Sequence, residues 1–489
     1  MKMKPSQSID RRTWIKAATT ASLSTLTAAE NQAAGNTDWQ LTRVKLDKTG
    51  GFRSPFIEGY CSHQSITAGE TLQVFVSTKP ASDFTIEIFR MGYYGGSGAR
   101  LMRTLGPLQG KPQPDPPIGE KRLRDCAWEP SAEIKVPSDW KSGVYLGRLT
   151  CLNKPGWQSY VTFVIKDHRK AGILFQVSDN TWQAYNRWPD NYSLYTDPRG
   201  SLVGGVDVSC NRPYGKYSQI FEAPQSVGSG EFLLWEFPLC YWLEQQGYDV
   251  TYCSNSDMLD PGNIERAQVF VSVGHDEYWD PRQYQTVKVG IEKGVSALFL
   301  SGNSVCFVAP YRAAANGVKN RIITRAGRYG GLTEVEKMQM GPFDVDGPNE
   351  NLLIGARTID PFNGGGDWIV TKPDHWVFKG TGMKKGDFIP GLVGWEFHGD
   401  PGQIPSLEVI AEGDALNGAN RTAHWTATIY PGPKRNFVFN ASTIWWSQGL
   451  SSPPGHMLPW SHWVRPHGPD PRVQRITANL FSRALKQSK

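Results

Sequence analysis

The chain has 489 residues, 39% of them hydrophobic, 12% aromatic and 20% charged, with 51 Gly, 34 Pro and seven Cys. At about 150 residues per domain that length supports two to three domains, and the aromatic content excludes a mostly disordered chain. The formal net charge is +6, but half of it comes from Lys2, Lys4, Arg11, Arg12 and Lys16 set against Asp10 and Glu30, which leaves a body too weakly basic to argue for nucleic acid.

Residues 8–16 read SIDRRTWIK and lead into a modestly apolar run from Ala17 to Ala29. A twin arginine, a large apolar pair and a lysine before such a run resemble a bacterial twin-arginine export signal. Asp10 stands where Ser or Thr is more usual, and Trp14 where Phe is. The expectation is a signal segment over residues 1–34, the twin-arginine machinery as a partner, and a periplasmic or secreted destination. That route carries proteins already folded, often around a cofactor, so a metal loaded in the cytoplasm is worth seeking. No stretch of 18 apolar residues occurs, so no integral membrane helix is expected.

From Leu72 to Asp167 apolar residues recur at every second position: Leu72, Val74 and Val76, then Phe84, Ile86 and Ile88, then Val161, Phe163 and Ile165. Short alternating strands punctuated by turns predict an Ig-like β-sandwich over residues 37–168. The Pro- and Gly-rich stretch 106–119 is expected to be irregular. Cys126 and Cys151 flank predicted strands of this region and are the one pair expected to form a disulfide; the other cysteines read as small buried hydrophobes.

After Lys170 the period changes. Residues 171–177, 248–253, 268–273 and 295–300 are near-continuous apolar runs, as expected of strands buried on both faces. Helices are predicted between them. One runs from Ser229 as N-cap to Gly247, and one from Asp280 as N-cap, with Pro281 in its first turn, to Gly294. Buried strands alternating with helices predict a doubly wound parallel sheet in an α/β domain over residues 169–489. Beyond Tyr311 the signal is β-rich, with strands expected at 406–411 and 436–439. Gly364-Gly365-Gly366 reads as a flexible turn. Val473, Ile476, Leu480, Phe481, Ala484 and Leu485 fall on one face of a final helix.

Ligands bind beyond the carboxyl ends of such strands. There stand Ser178 to Asn186, Gly274 to Trp279, and Ser301-Gly302-Asn303, all rich in polar groups. Such clusters also arise for solubility alone. No dinucleotide fingerprint, phosphate loop, nucleophile elbow or zincin motif is present, and nothing marks Cys306 as a nucleophile. What remains is His275 and Glu277, two apart and so facing one side in extended backbone. A carboxylate with nearby tyrosines prefers a hard cation, Fe(III) above all, because only a strong Lewis acid brings a phenol from its pKa near 10 to phenolate at neutral pH.

At these residues the sequence resembles the large subunit of bacterial N,N-dimethylformamidase and its relatives. The matching stretches are Phe89 to Gly96, Asn180 to Asn186, Asn211 to Tyr214, Gly274 to Trp279, Ser301 to Asn303 and Gly391 to Glu396. Gly-His-Asp-Glu-Tyr-Trp at 274–279 is the most specific. The resemblance implies a mononuclear iron held by two tyrosines and a glutamate, and an α/β fold akin to class I glutamine amidotransferases without their cysteine. Carried over, Glu277 is the carboxylate ligand, Tyr185 the first phenolate and Tyr214 the second, with Tyr192, Tyr195 and Tyr217 in the same long loop. Glu396 becomes the general base, and His275 and Asn303 orient substrate or stabilise the developing oxyanion. The 186–228 loop and the stretch before Glu396 are shorter than in the family.

The function so implied is an exported, iron-dependent amidohydrolase acting on a small amide. A different class of reading is a non-catalytic envelope or glycan-binding protein, which 18 tryptophans, Trp445, Trp446, Trp460 and Trp463 among them, keep open. A zinc hydrolase using His275 and Glu277 finds no third His at a suitable spacing.

Overall fold

A computed structural model describes residues 33–45, 51–216, 227–332, 334, 337–338, 343, 345–416, 421–456 and 468–486. The twin-arginine segment, Tyr217, Trp460 and Trp463 lie outside these residues. The alternating positions of the first region become the inner faces of its strands: Leu72, Val74 and Val76 in Thr71–Thr78, and Phe84, Ile86 and Ile88 in Phe84–Met91, are all fully buried. Ile57–Cys61, Thr71–Thr78 and Ala132–Lys135 form one sheet. Ser65–Thr67, Gln158–Lys166, Gly143–Cys151, Phe84–Met91 and Ala99–Leu108 form the other in that order. Side chains of both sheets meet in one core with Ile134, Val161 and Phe163. Each large aliphatic so buried contributes about 1.5–3 kcal/mol.

The expected disulfide does not form. Cys151 is buried in the core shared by the two sheets, whereas Cys126 packs with Tyr60, Trp128 and Trp188 in a separate aromatic cluster. Each thiol fills a different apolar space, and both are pushed up in pKa, chiefly by burial.

From Ala171 the chain enters a nine-stranded sheet. Its order is Val250–Cys253, Ala171–Gln176, Ala267–His275, Ser296–Gly302, Phe437–Asn440, Thr422–Pro431, Glu408–Leu416, Ala356–Ile369 and Phe388–Pro401. The first five strands pair in parallel and the last four continue antiparallel. The parallel strands are buried on both sides. Val269, Val271 and Val273 face a core that includes Leu239 and Leu243 of helix Phe237–Gln245 and Ile476 and Leu480 of helix Pro471–Lys486. Phe270 and Phe299 face Val287 and Ile291 of helix Pro281–Lys293. Helices thus cover both faces of the parallel portion, which explains the unbroken apolar runs.

Helix Pro281–Lys293 has the expected ends, with the Asp280 carboxylate accepting from Arg282 N at 2.8 Å and Gly294 in the left-handed region at φ 109°. Two expectations need correction. Ser229 caps no helix; the helical run starts as a π-helix at Phe232–Glu236 and becomes α-helical at Phe237–Gln245. Pro238 has no N–H to give to the carbonyl of Leu234, which instead accepts from Gln448 Nε2 at 2.9 Å. Gly364-Gly365-Gly366 is not a turn but part of strand Ala356–Ile369, paired with residues 393–395. A Cβ at Gly366 would lie 2.9 Å from the carbonyl oxygen of Asp414 on the neighbouring strand, so close approach of that backbone demands glycine there.

Candidate functional site

The first four parallel strands are ordered second, first, third and fourth by position in the chain, so the direction of winding reverses between Ala171–Gln176 and Ala267–His275. Connections diverge at such a point and leave a crevice beyond the strand ends. Helix Asp179–Tyr185 follows the first of these strands and Asp276-Glu277 the second. Thr181 Oγ1 accepts from Glu277 N at 3.0 Å, and Asn180 Nδ2 donates to the Tyr278 carbonyl at 3.0 Å, fastening helix and loop together. Gly274 makes the bend possible: its φ is +73°, and a Cβ would stand 2.4 Å from Cβ of Trp235. The strand carrying Glu396 approaches as closely. A Cβ on Gly302 would lie 2.2 Å from the Glu396 carbonyl oxygen. Beyond it Asn303 and Val305 adopt φ of 51° and 55°; for a β-branched residue that conformation is strained and often marks a functional turn. Val305 N is held by the Asp276 carbonyl at 3.0 Å.

These elements bring five of the six expected side chains into one cluster. His275 Nε2 lies 2.7 Å from Glu396 Oε2 and 3.4 Å from Glu277 Oε2. Asn303 Nδ2 donates to Glu396 Oε2 at 3.1 Å. The Tyr185 ring packs 5.0 Å from the His275 ring. Glu277, His275, Glu396 and Asn303 are buried, whereas Tyr185 is partly exposed and marks the open side. Asp276 points elsewhere, accepting from Gln176 Nε2, Ser272 Oγ and Asn255 Nδ2 at 2.6, 2.9 and 3.1 Å.

Tyr214 is not among them. It packs edge-on to Trp182 and lines a separate small pocket with Asp179, Cys210 and Arg321, between the first region and the large sheet. Tyr195 stands in the cluster instead. Its hydroxyl donates to Glu277 Oε1 at 2.8 Å, and its ring stacks on Tyr185 with centroids 4.5 Å apart. Tyr192 is engaged by Arg122 and Arg124. The resemblance picks Tyr214 out of these tyrosines, but a long loop has no period from which to read direction. Glu231 was missed altogether: its carboxylate lies 3.5 Å from His275 Nδ1, just before the π-helix. A glutamate standing directly before the apolar run Phe232 to Trp235 is the signal that could have found it.

The electrostatics follow from burial. Burial opposes a charge on His275, but Glu396, with Glu231 and Glu277, outweighs it and holds the imidazole pKa well above its ordinary value. Burial raises the Glu396 carboxyl above the usual range despite the opposing pull of His275. Tyr185 and Tyr195 are raised well above 10, first by burial and then by Glu277. Both therefore stay phenols at neutral pH unless a strongly Lewis-acidic cation binds. Among the described residues no group of three or more His, Cys, Asp or Glu is placed to hold a metal. A set that includes tyrosine oxygens does fit a hard cation. Glu277 Oε2 is buried without a hydrogen-bond partner, beside two phenol groups.

Two residues from Glu396, His398 fixes the same wall. Its Nε2 accepts from Ser304 N at 3.0 Å and its Nδ1 lies 2.7 Å from Asn440 Oδ1, an arrangement that requires neutral imidazole. Burial lowers its pKa from 6.5 to about 4. As pH falls below 6.5 the unfolded chain takes up this proton first, so the stabilisation present above 6.5 drains away down to about pH 4. Denaturant titrations at pH 7 and pH 4 should show the wild type losing about 3 kcal/mol more than His398→Gln. Equal losses in the two proteins would contradict this.

A parallel sheet covered by helices, extended by an antiparallel half and carrying a buried polar centre at its switch point, defines a strand-rich α/β protein. The chain belongs to the family described as N,N-dimethylformamidase beta subunit-like, C-terminal, which matches residues 85–459. That family supports a dimethylformamidase-like hydrolase at the coarse level. No curated protein matches the sequence. Two solved structures of superoxide reductase (neelaredoxin) from Ignicoccus hospitalis are 12% and 15% identical, cover 23% and 24% of this chain and 80% and 84% of their own, and give TM-scores of 0.14 and 0.15. At those scores the likeness carries no argument.

Proposed function

We propose that the protein is an iron-dependent amidohydrolase that cleaves the C–N bond of a small amide with water, giving a carboxylic acid and an amine. Tyr185, Tyr195 and Glu277 would hold Fe(III), with Tyr195 replacing Tyr214 as the second phenolate. The observation that carries this reading is the oxygen-rich cluster around Glu277 Oε2, a buried carboxylate oxygen with no hydrogen-bond partner. Two phenolates and a carboxylate match the charge of a trivalent ion.

The metal, when bound, supplies Lewis acidity toward an amide carbonyl and a water. The protein's own groups supply the rest. Glu396 has a raised pKa, suited to taking a proton from the attacking water and returning one to the leaving nitrogen. Asn303 Nδ2 and His275 Nε2 both reach Glu396 Oε2 and fix its direction. They can also donate to the oxyanion as the carbonyl becomes tetrahedral. Burial of Glu396 and His275 keeps bulk water from weakening these interactions.

The finer assignments belong to the same proposal: an Ig-like sandwich over 37–168, and a class I glutamine amidotransferase-like domain over 169–489. The two-sheet core and the parallel order of the first strands support them. Export by the twin-arginine route, to periplasm or medium, rests on Arg11-Arg12 and the run that follows. The non-catalytic reading loses support because Trp445 and Trp446 are buried, and no tryptophan is among the exposed large hydrophobics of the described residues.

Paired variants test the ligand choice. Tyr195→Phe should lose iron or its visible colour and hydrolyse no formamide or acyl amide that the parent cleaves. Tyr214→Phe should keep all three. The reverse pattern would reject this site.

A further inference from the structure

Beside Tyr195 stand two groups that the reaction does not use. The Tyr278 hydroxyl donates to the Tyr195 hydroxyl oxygen at 2.7 Å, which in turn donates to Glu277 Oε1. The guanidinium of Arg325 lies 5.1 Å above the Tyr195 ring. Arg325 is fully buried, and among the described residues no carboxylate forms an ion pair with it. Its Nη2 donates to the carbonyls of Leu194, Ser201 and Val203 at 2.7, 3.0 and 2.8 Å, holding the loop that carries Tyr195. Its Nε and Nη1 are buried and form no close hydrogen bond.

A buried guanidinium without a counter-ion costs several kcal/mol in general, so its position calls for negative charge nearby. The oxygens of Tyr278 and Tyr195 and the carboxylate of Glu277 are the groups that face it. Among the described residues no guanidinium lies over the ring of Tyr185, which is flanked by Tyr195 and His275.

We propose that Tyr278 and Arg325 are positioning residues of the metal centre, fixing Tyr195 and drawing electron density from its oxygen so that it is a weaker donor than Tyr185. This rests on the iron reading above. A hydrogen bond donated to a ligand atom, and a cation over its ring, both lower the energy of the electrons it shares with a metal. The two phenolates are then unequal by construction, and the loop 194–203 is tied to the centre through Arg325.

The test is the visible spectrum and iron content of Tyr278→Phe, with parent protein prepared alongside. Loss of one hydroxyl leaves the ring packing on Phe307 intact. The expected result is iron retained and the phenolate-to-iron band moved to longer wavelength, because a phenolate without its donor releases charge more easily. Arg325→Lys, which keeps a cation but loses the planar contact with the ring, should shift the band in the same direction and by less. Iron bound with the band unmoved in Tyr278→Phe overturns the proposal. So does a folded Tyr278→Phe that takes up no iron, since Tyr278 would then be needed for binding rather than for tuning. Parent protein lacking both iron and band would instead strike the metal reading itself, and is read separately from the variants.

Discussion

Glu277→Ala is expected to yield a folded protein that purifies without iron. The carboxylate is the one proposed ligand that is not a phenol, and it stands just past the end of the strand Ala267–His275. Removing it leaves two phenols that burial holds protonated, with pKa values well above 10, and no fixed negative charge to draw the cation in. Changing a group that merely supports a ligand costs about 10–100-fold in metal affinity; loss of the carboxylate ligand should exceed that upper figure. The fold should survive, because the deleted atoms anchor only the Tyr195 hydroxyl and one edge of His275. Removing an acceptor from one buried hydroxyl costs about 1–3 kcal/mol. Elemental analysis beside circular dichroism checks both statements. Full iron occupancy in the alanine variant would move the metal elsewhere.

Glu396→Gln should do the opposite, keeping iron and losing turnover. The amide oxygen of glutamine can still accept from Asn303 and stand beside His275 where the carboxylate does now, so geometry and metal binding persist. What disappears is a group able to take a proton, and general-base contributions run at about 10²–10⁴-fold in rate. The loss should appear in kcat with little change in KM. A variant that retained more than a tenth of the parent's rate would mean that another group takes the proton, and His275 would be the first alternative by position.

Much of this site was legible in the sequence, for a definable reason. His275, Glu277 and Asn303 follow strands whose apolar runs are unmistakable, so their place at the carboxyl edge of a parallel sheet follows from the pattern alone. The helix Pro281–Lys293 was equally readable because Asp280, Pro281 and Gly294 mark its ends. Glu396 came only through resemblance, since its strand Phe388–Pro401 belongs to the antiparallel half, where the polar pattern is irregular and pairing is shifted by bulges.

The second tyrosine was out of reach for a different reason. Tyr195 and Tyr214 are both in the long connection after helix Asp179–Tyr185, and tertiary contacts decide which of them turns inward. Arg325 at the end of strand Ile322–Thr324 holds the loop at Leu194, while Trp182 holds Tyr214 on the other side. The π-helical start at Phe232 depends likewise on Gln448, more than two hundred residues away. The disulfide failed because flanking neighbouring strands says nothing about which side of a strand each thiol faces.

The most direct measurement is iron content and visible absorption of the parent protein, purified without chelator. The account predicts about one iron per chain and a phenolate-to-iron charge-transfer band. A folded, colourless protein free of iron, which stays colourless when ferric iron is supplied, would contradict it.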